Sequence, residues 1–569
     1  MTRYSPFLIA FFILTCLPVL ADDWNRFRGP DGSGVSSDGD SIPSRWSPDA
    51  NLAWATPMPG PGVSSPIVVG GKVFITCYSG YGLDQEAPGE IENLMRHVVC
   101  VDFKSGDLIW QKDIQAALPE DPYSGVGVTA HGYASHTPVS DGEHIYAFLG
   151  KSGVHAFDLD GNPVWQADVG MESDPAKWGS SSSPVLFNDT LIVTASAESQ
   201  AIIGFDKATG KELWRQEAKG LDGMWGTPAL VKIGDDRTDL VMCVAKEMWG
   251  LDPTTGKLRW FANATGAEHA YSSVVTDAGR VFAFTGRGGG SVAVQAGGSG
   301  DVTESNTMWT GTENASFGSP VRYGSKLYVV SQGVVTIVDG ESGEKIDQVR
   351  LKGAERTGGR FGSLDYASPT VIGNRLMYLN GSGQMFVFDL DDDAKQIAVN
   401  RVTNDKETFG GSPAVSDGRL IFRSSKHLYC ITDKGETVAA TPDADAVVAA
   451  DEPAAGERGG RGGAQGRQGG GENGRFDPMS VFNDRDANKD GKLSQDEVAG
   501  GPMADRMKEL DKDGDGAITQ DEFRTGMANM FGGGRNGGGE RPGGGSGQGN
   551  RYGGEDTRPD RPQRPAAAS

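Results

Sequence analysis

At 569 residues the chain is long for one compact core, and a repeated unit is the other way for a chain to be large. Glycine supplies 84 of those residues, about twice ordinary usage, so turns are very frequent, some segments lack a core, or both. A formal charge of -23 argues against a nucleic-acid binder, whose phosphate contacts need a basic face, and suits a chain that takes up cations.

Residues 1–21 read as a secretory signal peptide. Arg3 gives the positive start, "PFLIAFFILTCLPVL" the apolar stretch, and "VLA" a small-residue cleavage site before Asp22. No later run is apolar and long enough to cross a bilayer as a helix. The expected location is therefore the periplasm, the cell surface or the extracellular space. Four cysteines follow the leader, Cys77, Cys100, Cys243 and Cys430. None are adjacent, and no C-x-x-C occurs, so redox, zinc and haem-attachment motifs are absent. Cys77 and Cys100 fall on neighbouring expected strands, either as a disulfide or as two buried thiols.

Two phrases then alternate along the chain. The first is an aspartate turn ending in tryptophan: "VDFKSGDLIW" (101–110), "FDLDGNPVW" (157–165), "FDKATGKELW" (205–214) and "LDPTTGKLRW" (251–260). The second is a serine or threonine, proline, a short apolar strand, a turn and another strand. It occurs as "SSPIVVGGKVFIT" (64–76), "HTPVSDGEHIYAF" (136–148), "SSPVLFNDTLIV" (182–193) and "GTPALV" (226–231), then "YSSVVTDAGRVFAF" (271–284), "GSPVRYGSKLYVV" (318–330), "ASPTVIGNRLMYL" (367–379) and "GSPAVSDGRLIF" (411–422). Copies stand 44 to 49 residues apart, with one interval of 72. About four short strands per period predict an all-β, eight-bladed β-propeller over residues 22–440.

Trp54, Trp110, Trp165, Trp214, Trp260 and Trp309 all fall on the last strand of a unit, where a wide ring can wedge between blades. Units six and seven lack the tryptophan, around Asp347 and Ala398. Trp54 precedes the first unit and the eighth unit fades after "CITDKGE", so the N-terminal strand is expected to complete the last blade and remove a free edge.

The phrase D-x-x-T-G-K-x-x-W at 206–214 resembles the tryptophan-docking repeat of pyrroloquinoline-quinone dehydrogenases, and the repeats of the outer-membrane assembly lipoprotein of the Bam complex. The opening "WNRFRGPDGSGVS" (24–36) resembles the start of secreted quinoprotein-like propellers of planctomycete-type bacteria. Both families are eight-bladed, so the resemblance implies the fold across about residues 24–440. It does not imply one activity, because one fold hosts many functions.

With the first strand of each blade at the axis, an aromatic precedes each axial strand in seven of eight units: Tyr133, Trp178, Trp225, Tyr271, Phe317, Tyr366 and Phe409. This series reads as a ring for stacking a flat or sugar-like ligand, flanked by His131, His136, Lys177 and Arg360, or as structural caps on the blade ends. His131 and His136 lack the third ligand that a metal site would need.

After residue 440 the composition changes. Residues 441–475 form a glycine-rich linker, and residues 532–569 a Gly/Arg/Pro-rich tail expected to be disordered. Between them, at 476–531, "DANKDGKLSQDE" (486–497) and "DKDGDGAITQDE" (511–522) fit the EF-hand loop pattern. The expected Ca²⁺ ligands are Asp486, Asn488, Asp490, the Lys492 carbonyl and Glu497, then Asp511, Asp513, Asp515, the Ala517 carbonyl and Glu522. Gly491 and Gly516 permit the sharp turn, and Leu493 and Ile518 suit a strand pairing between loops.

The functional expectation is an exported, non-catalytic binding or scaffold protein with two calcium sites. Its partner would be a protein or a glycan on the loop-rich propeller face, with no nucleic acid. One alternative is a quinone-dependent oxidoreductase, the other a polysaccharide-binding surface protein. The quinoprotein resemblance implies a vicinal disulfide against the quinone, and this chain has no adjacent cysteines. Bound pyrroloquinoline quinone is therefore not expected.

Overall fold

The computed structural model describes residues 23–37, 41–124, 127–175, 177–286, 289–355 and 365–438, with 482, 489, 491–494, 511, 516–520, 522–523 and 560–563 beyond them. The leader at 1–21, Arg360, the linker at 441–475, and the expected ligands Asp486, Asn488, Asp490, Glu497, Asp513 and Asp515 lie outside the described residues. Two compact units divide the chain, residues 1–452 with 556–569, and residues 453–555.

The first unit is an eight-bladed propeller of antiparallel sheets. Each blade runs outward from the axis in chain order, as in blade three with Val185–Phe187, Thr190–Ala195, Ala201–Asp206 and Glu212–Glu217. Blade eight has only three strands of its own, Ala414–Ser416, Arg419–Arg423 and His427–Thr432. Its outer strand is Leu52–Pro57 from the N-terminus, antiparallel to His427–Thr432 with Trp54 opposite Cys430. The expected closure is observed, and it leaves no open edge there.

Two rings of contacts hold the blades together. At the outer rim, each docking tryptophan lies on the glycine of the next blade's turn. Trp54, Trp110, Trp165, Trp214 and Trp309 cover Gly106, Gly161, Gly210, Gly256 and Gly343. A Cβ on any of these glycines would fall 2.4–2.8 Å from a ring atom, and all five have positive φ. Only glycine suits both the turn and the ring above it. Four of the indoles also donate Nε1–H to the next blade's carbonyl, at Phe103, Leu159, Lys207 and Gly340.

At the axis the Ser/Thr of the second phrase builds a closed circle. The backbone N–H of Ser65 donates to Thr137 Oγ1, Thr137 to Ser183 Oγ, Ser183 to Thr227 Oγ1, and Thr227 to Ser273 Oγ. Ser273 then donates to Ser319, Ser319 to Ser368, Ser368 to Ser412, and Ser412 back to Ser65. All eight bonds measure 2.8–3.0 Å. Proline follows seven of the eight residues and holds them extended, which aims each N–H along the circle.

Blade four breaks the outer pattern. Its strands are Ala229–Ile233, Arg237–Val244, Glu247–Leu251 and Leu258–Asn263, and Gly300–Asp301 adds a parallel edge. Trp260 is fully buried and donates Nε1–H to Asp239 (2.7 Å) inside its own blade. The four thiols are free and buried. Cys77 stands opposite His97, while Cys100 stands opposite Phe74, so the two cysteines are three pairs apart and cannot bridge.

Candidate functional site

The axis holds a cavity of about 240 Å³ that is partly open to solvent. Its wall is the eight-hydroxyl circle. One end is crossed by the opening phrase: Trp24 bridges to Val68 in blade one, Asn25 exchanges hydrogen bonds with Ser140 in blade two, and Val35–Ser36 runs parallel to Thr370–Ile372 of blade seven. Phe27 of that segment faces the cavity. Arg28 beside it is buried, donates Nη2–H to the Pro320 and Ser33 carbonyls, and is lowered to about 10 by desolvation.

Aromatics from five consecutive blades form the other end. Trp178, Trp225, Tyr271, Phe317 and Tyr366 line the cavity, with successive ring centroids 5.0–5.6 Å apart. Trp225 and Tyr271 are stacked at 19°, and His269 extends that stack at 5.8 Å from Trp225. Local bonds fix the geometry. Asp174 Oδ2 accepts from the backbone N–H groups of Trp178 and Gly179, and Trp225 Nε1–H donates to the Gly179 carbonyl.

Two of the seven expected aromatics are elsewhere. Tyr133 packs in a cluster with Tyr78, Tyr81 and Tyr123 beside blade one, and its hydroxyl donates to the Asp121 carbonyl. Phe409 packs over Gly383 and against Phe422 and Tyr429. Lys177 is exposed. Phe27, His269 and the hydroxyl circle were not singled out from sequence. The Ser/Thr at a constant place in the second phrase was the signal for the circle.

The histidines have structural partners. His131 accepts from Ser135 Oγ at Nδ1 (2.7 Å) and donates Nε2–H to the Trp178 carbonyl (2.6 Å), and burial lowers its pKa. His136 is lowered to about 3 by desolvation and bonds Ser180 Oγ at 3.0 Å. Ser180 in turn donates to Glu198, which desolvation raises to about 7. Arg96–Glu120 (2.6 Å) and Lys151–Asp121 (3.4 Å) complete this buried polar layer. Among the described residues the cavity is therefore lined by hydroxyls and aromatic rings, with neutral His131 as its one titratable lining group other than tyrosine. Among the described residues no sulfur lines it.

In the second unit, Lys492–Ser494 pairs antiparallel with Ala517–Thr519, and Leu493 faces Ile518 as expected. Gly491 and Gly516 adopt positive φ, and the Gly516 N–H donates to Asp511 Oδ2 (2.9 Å). Glu522 accepts from the Thr519 N–H and hydroxyl. Phe482 and Phe523 meet edge-on at 5.4 Å. The described part of both loops thus has the strand pairing and turns that an oxygen-ligand calcium site requires.

The family described as outer membrane protein assembly factor BamB matches residues 94–346 and 301–441, more than half of the chain. The chain belongs to that family. An EF-hand family also matches residues 503–528, which contain the second loop. None of the curated proteins matches. Among solved structures, BamB from Moraxella catarrhalis is 14% identical over 68% of this chain and 100% of that chain, with a TM-score of 0.46. A europium-containing methanol dehydrogenase is 12% identical over 72% and 89%, with a TM-score of 0.47. The quinohemoprotein alcohol dehydrogenase ADHIIG of Pseudomonas putida HK5 is 11% identical over 74% and 82%, with a TM-score of 0.46. Among the described residues no helix of this BamB-family chain is long and apolar enough to span a membrane.

Proposed function

We propose that this BamB-family propeller is an exported, non-catalytic binding protein whose axial cavity takes one small, flat-faced ligand. The carrying observation is the arc of five aromatic rings closing a hydroxyl-lined cavity. Rings 5.0–5.6 Å apart offer faces for stacking, and the hydroxyls offer polar anchors. A volume of about 240 Å³ suits a small molecule and excludes a folded partner, so any protein or glycan partner would use the outer, loop-rich face. Two Ca²⁺ ions would bind in the second unit through Asp486, Asn488, Asp490, Lys492 and Glu497, and through Asp511, Asp513, Asp515, Ala517 and Glu522.

Full-length protein from its native source should carry a small molecule visible by native mass spectrometry, and Ser319→Phe, which fills the cavity, should lose it. Equal ligand loading in that variant would remove the axial reading. Dye-linked oxidation of alcohols after addition of pyrroloquinoline quinone and Ca²⁺ would overturn the non-catalytic half. Calorimetry should show two calcium sites of about 10⁻⁵ to 10⁻³ M. Glu497→Gln with Glu522→Gln should abolish both.

A further inference from the structure

Glu247 opens the third strand of blade four, and its side chain is 2% exposed. A carboxylate at that depth is costly unless a cation meets it. Among the described residues of the propeller blades it is paired with no Lys or Arg; Trp249 Nε1–H alone donates to Oε2, at 2.8 Å. The cation comes from 314 residues further along. Arg561 donates Nε–H to Glu247 Oε2 (2.7 Å) and Nη2–H to Oε1, a two-pronged match of guanidinium to carboxylate. The same guanidinium lies 3.5 Å from the Phe261 ring centroid.

The backbone is held as well. The Gly220 N–H donates to the Asp560 carbonyl and the Leu258 N–H to the Gln563 carbonyl, each at 3.0 Å, and Pro562 is buried between them. The stretch expected to be disordered is therefore seated at residues 560–563, across the outer strand of blade four. This is also the blade whose Trp260 turns inward. The neighbouring sequence repeats the dipeptide every third residue, at Arg558-Pro559, Arg561-Pro562 and Arg564-Pro565. Three residues is one turn of the extended helix that proline favours, so a repeat of this period suits a ligand read along one edge.

We propose that this surface of blade four is a recognition site for extended Arg-Pro peptide, built from Glu247, Phe261 and the N–H groups of Gly220 and Leu258, with the chain's own tail as its resident ligand. Arginine supplies the fork and the stacking face, and proline lowers the entropy of ordering the strand.

Hydrogen exchange on the full-length chain tests this, read on peptides that contain Gly220 and Leu258. Glu247→Gln should speed exchange at both sites at least tenfold. Neighbouring dipeptides can slide into register, so the tail variant replaces Arg558, Arg561 and Arg564 together with alanine. It should show the same acceleration, while the Ser183 region at the axis stays unchanged and reports an intact fold. Adding a synthetic peptide of residues 556–566 to that variant should restore protection. The same peptide with its three arginines changed to lysine should bind at least tenfold more weakly. Identical exchange in wild type and both variants would overturn the proposal, as would a peptide that restores nothing. A wild-type dimer that the triple variant dissolves would overturn occupancy by the chain's own tail.

Discussion

The propeller is closed twice, and the two closures differ in regularity. At the axis the circle of eight hydroxyls is complete, each bond within 0.2 Å of every other. At the rim, five tryptophans sit on five glycines, blade four turns its tryptophan inward, and blades six and seven have none. The inner bond asks for one small hydroxyl in a fixed backbone pose, which every blade can supply. The outer contact asks for a large ring, a bare glycine and a matched turn, and other elements can replace it. At blade four the replacements are an added strand and the tail.

Removing the segment that completes blade eight at the rim and crosses one end of the axis should have the largest effect. Deletion of residues 22–58 takes away the outer strand of blade eight, Trp54 and the segment across the axis. The truncated chain should lose its cooperative thermal transition by circular dichroism. A cooperative melt near the wild-type temperature would show that the N-terminal strand is dispensable.

The rim should respond unevenly. Trp165→Ala and Trp214→Ala each remove a partly buried docking ring and should cost about 3–5 kcal/mol. Trp165 also donates to the Lys207 carbonyl (2.8 Å), whereas Trp214 Nε1 has no hydrogen-bond partner among the described residues. Trp165→Ala should therefore be the worse of the two by about 1 kcal/mol in denaturant unfolding. Equal costs would mean that the indole hydrogen bond contributes nothing at the rim.

Behind the axis, Glu198 reports how dry the inner zone is. Its folded pKa is about 7 against an ordinary 4.5, because burial disfavours the carboxylate. The protonated acid is favoured in the folded state, so this stabilisation is full below pH 4.5 and fades as pH rises through 7. The total swing is about 3 kcal/mol. Glu198→Gln should flatten the decline, gaining on wild type between pH 5 and pH 8 when unfolding midpoints are compared. A parallel pair of pH curves would place water beside Glu198.

The axis itself should respond weakly and evenly. Ser183→Ala and Ser319→Ala each delete one acceptor and should cost about 1 kcal/mol. The two values should agree within about 0.5 kcal/mol, in contrast to the tryptophan series. A large difference between them would make the circle a set of unrelated local bonds.

The propeller was legible because its repeat carries its own chemistry. The turn glycine and the tryptophan recur together since one covers the other, and Trp54 ahead of the first unit announced the closing strand. The aromatic series was legible for blades three to seven, where nothing intervenes between link and axis. It failed at Tyr133 because Tyr78 on the Lys72–Ser79 strand, with Tyr81 and Tyr123 in the long connections on either side of blade one's third and fourth strands, competes for it. It failed at Phe409 because Gly383 leaves space beneath the ring in the neighbouring blade. Period locates a residue along the chain but does not orient its side chain. The Arg-Pro contact was hidden for another reason. Glu247 looks like any strand-edge acid until its burial is known, and its partner lies beyond two glycine-rich segments.

Pairing Leu52–Pro57 with His427–Thr432 also imposes an order in time. The Leu52–Pro57 strand precedes every blade in the chain yet pairs with the last strand of the propeller, so it waits until that strand is made. Bringing ends so far apart together adds a loop-closure cost that grows only slowly with length, but it must be met before the reward of the final sheet. Such late, distant pairing makes folding slow and leaves strand edges unpaired meanwhile. Blade eight is thus both the seam of the ring and its clock: until residues near 432 are made, seven finished blades remain an open arc with two sticky ends.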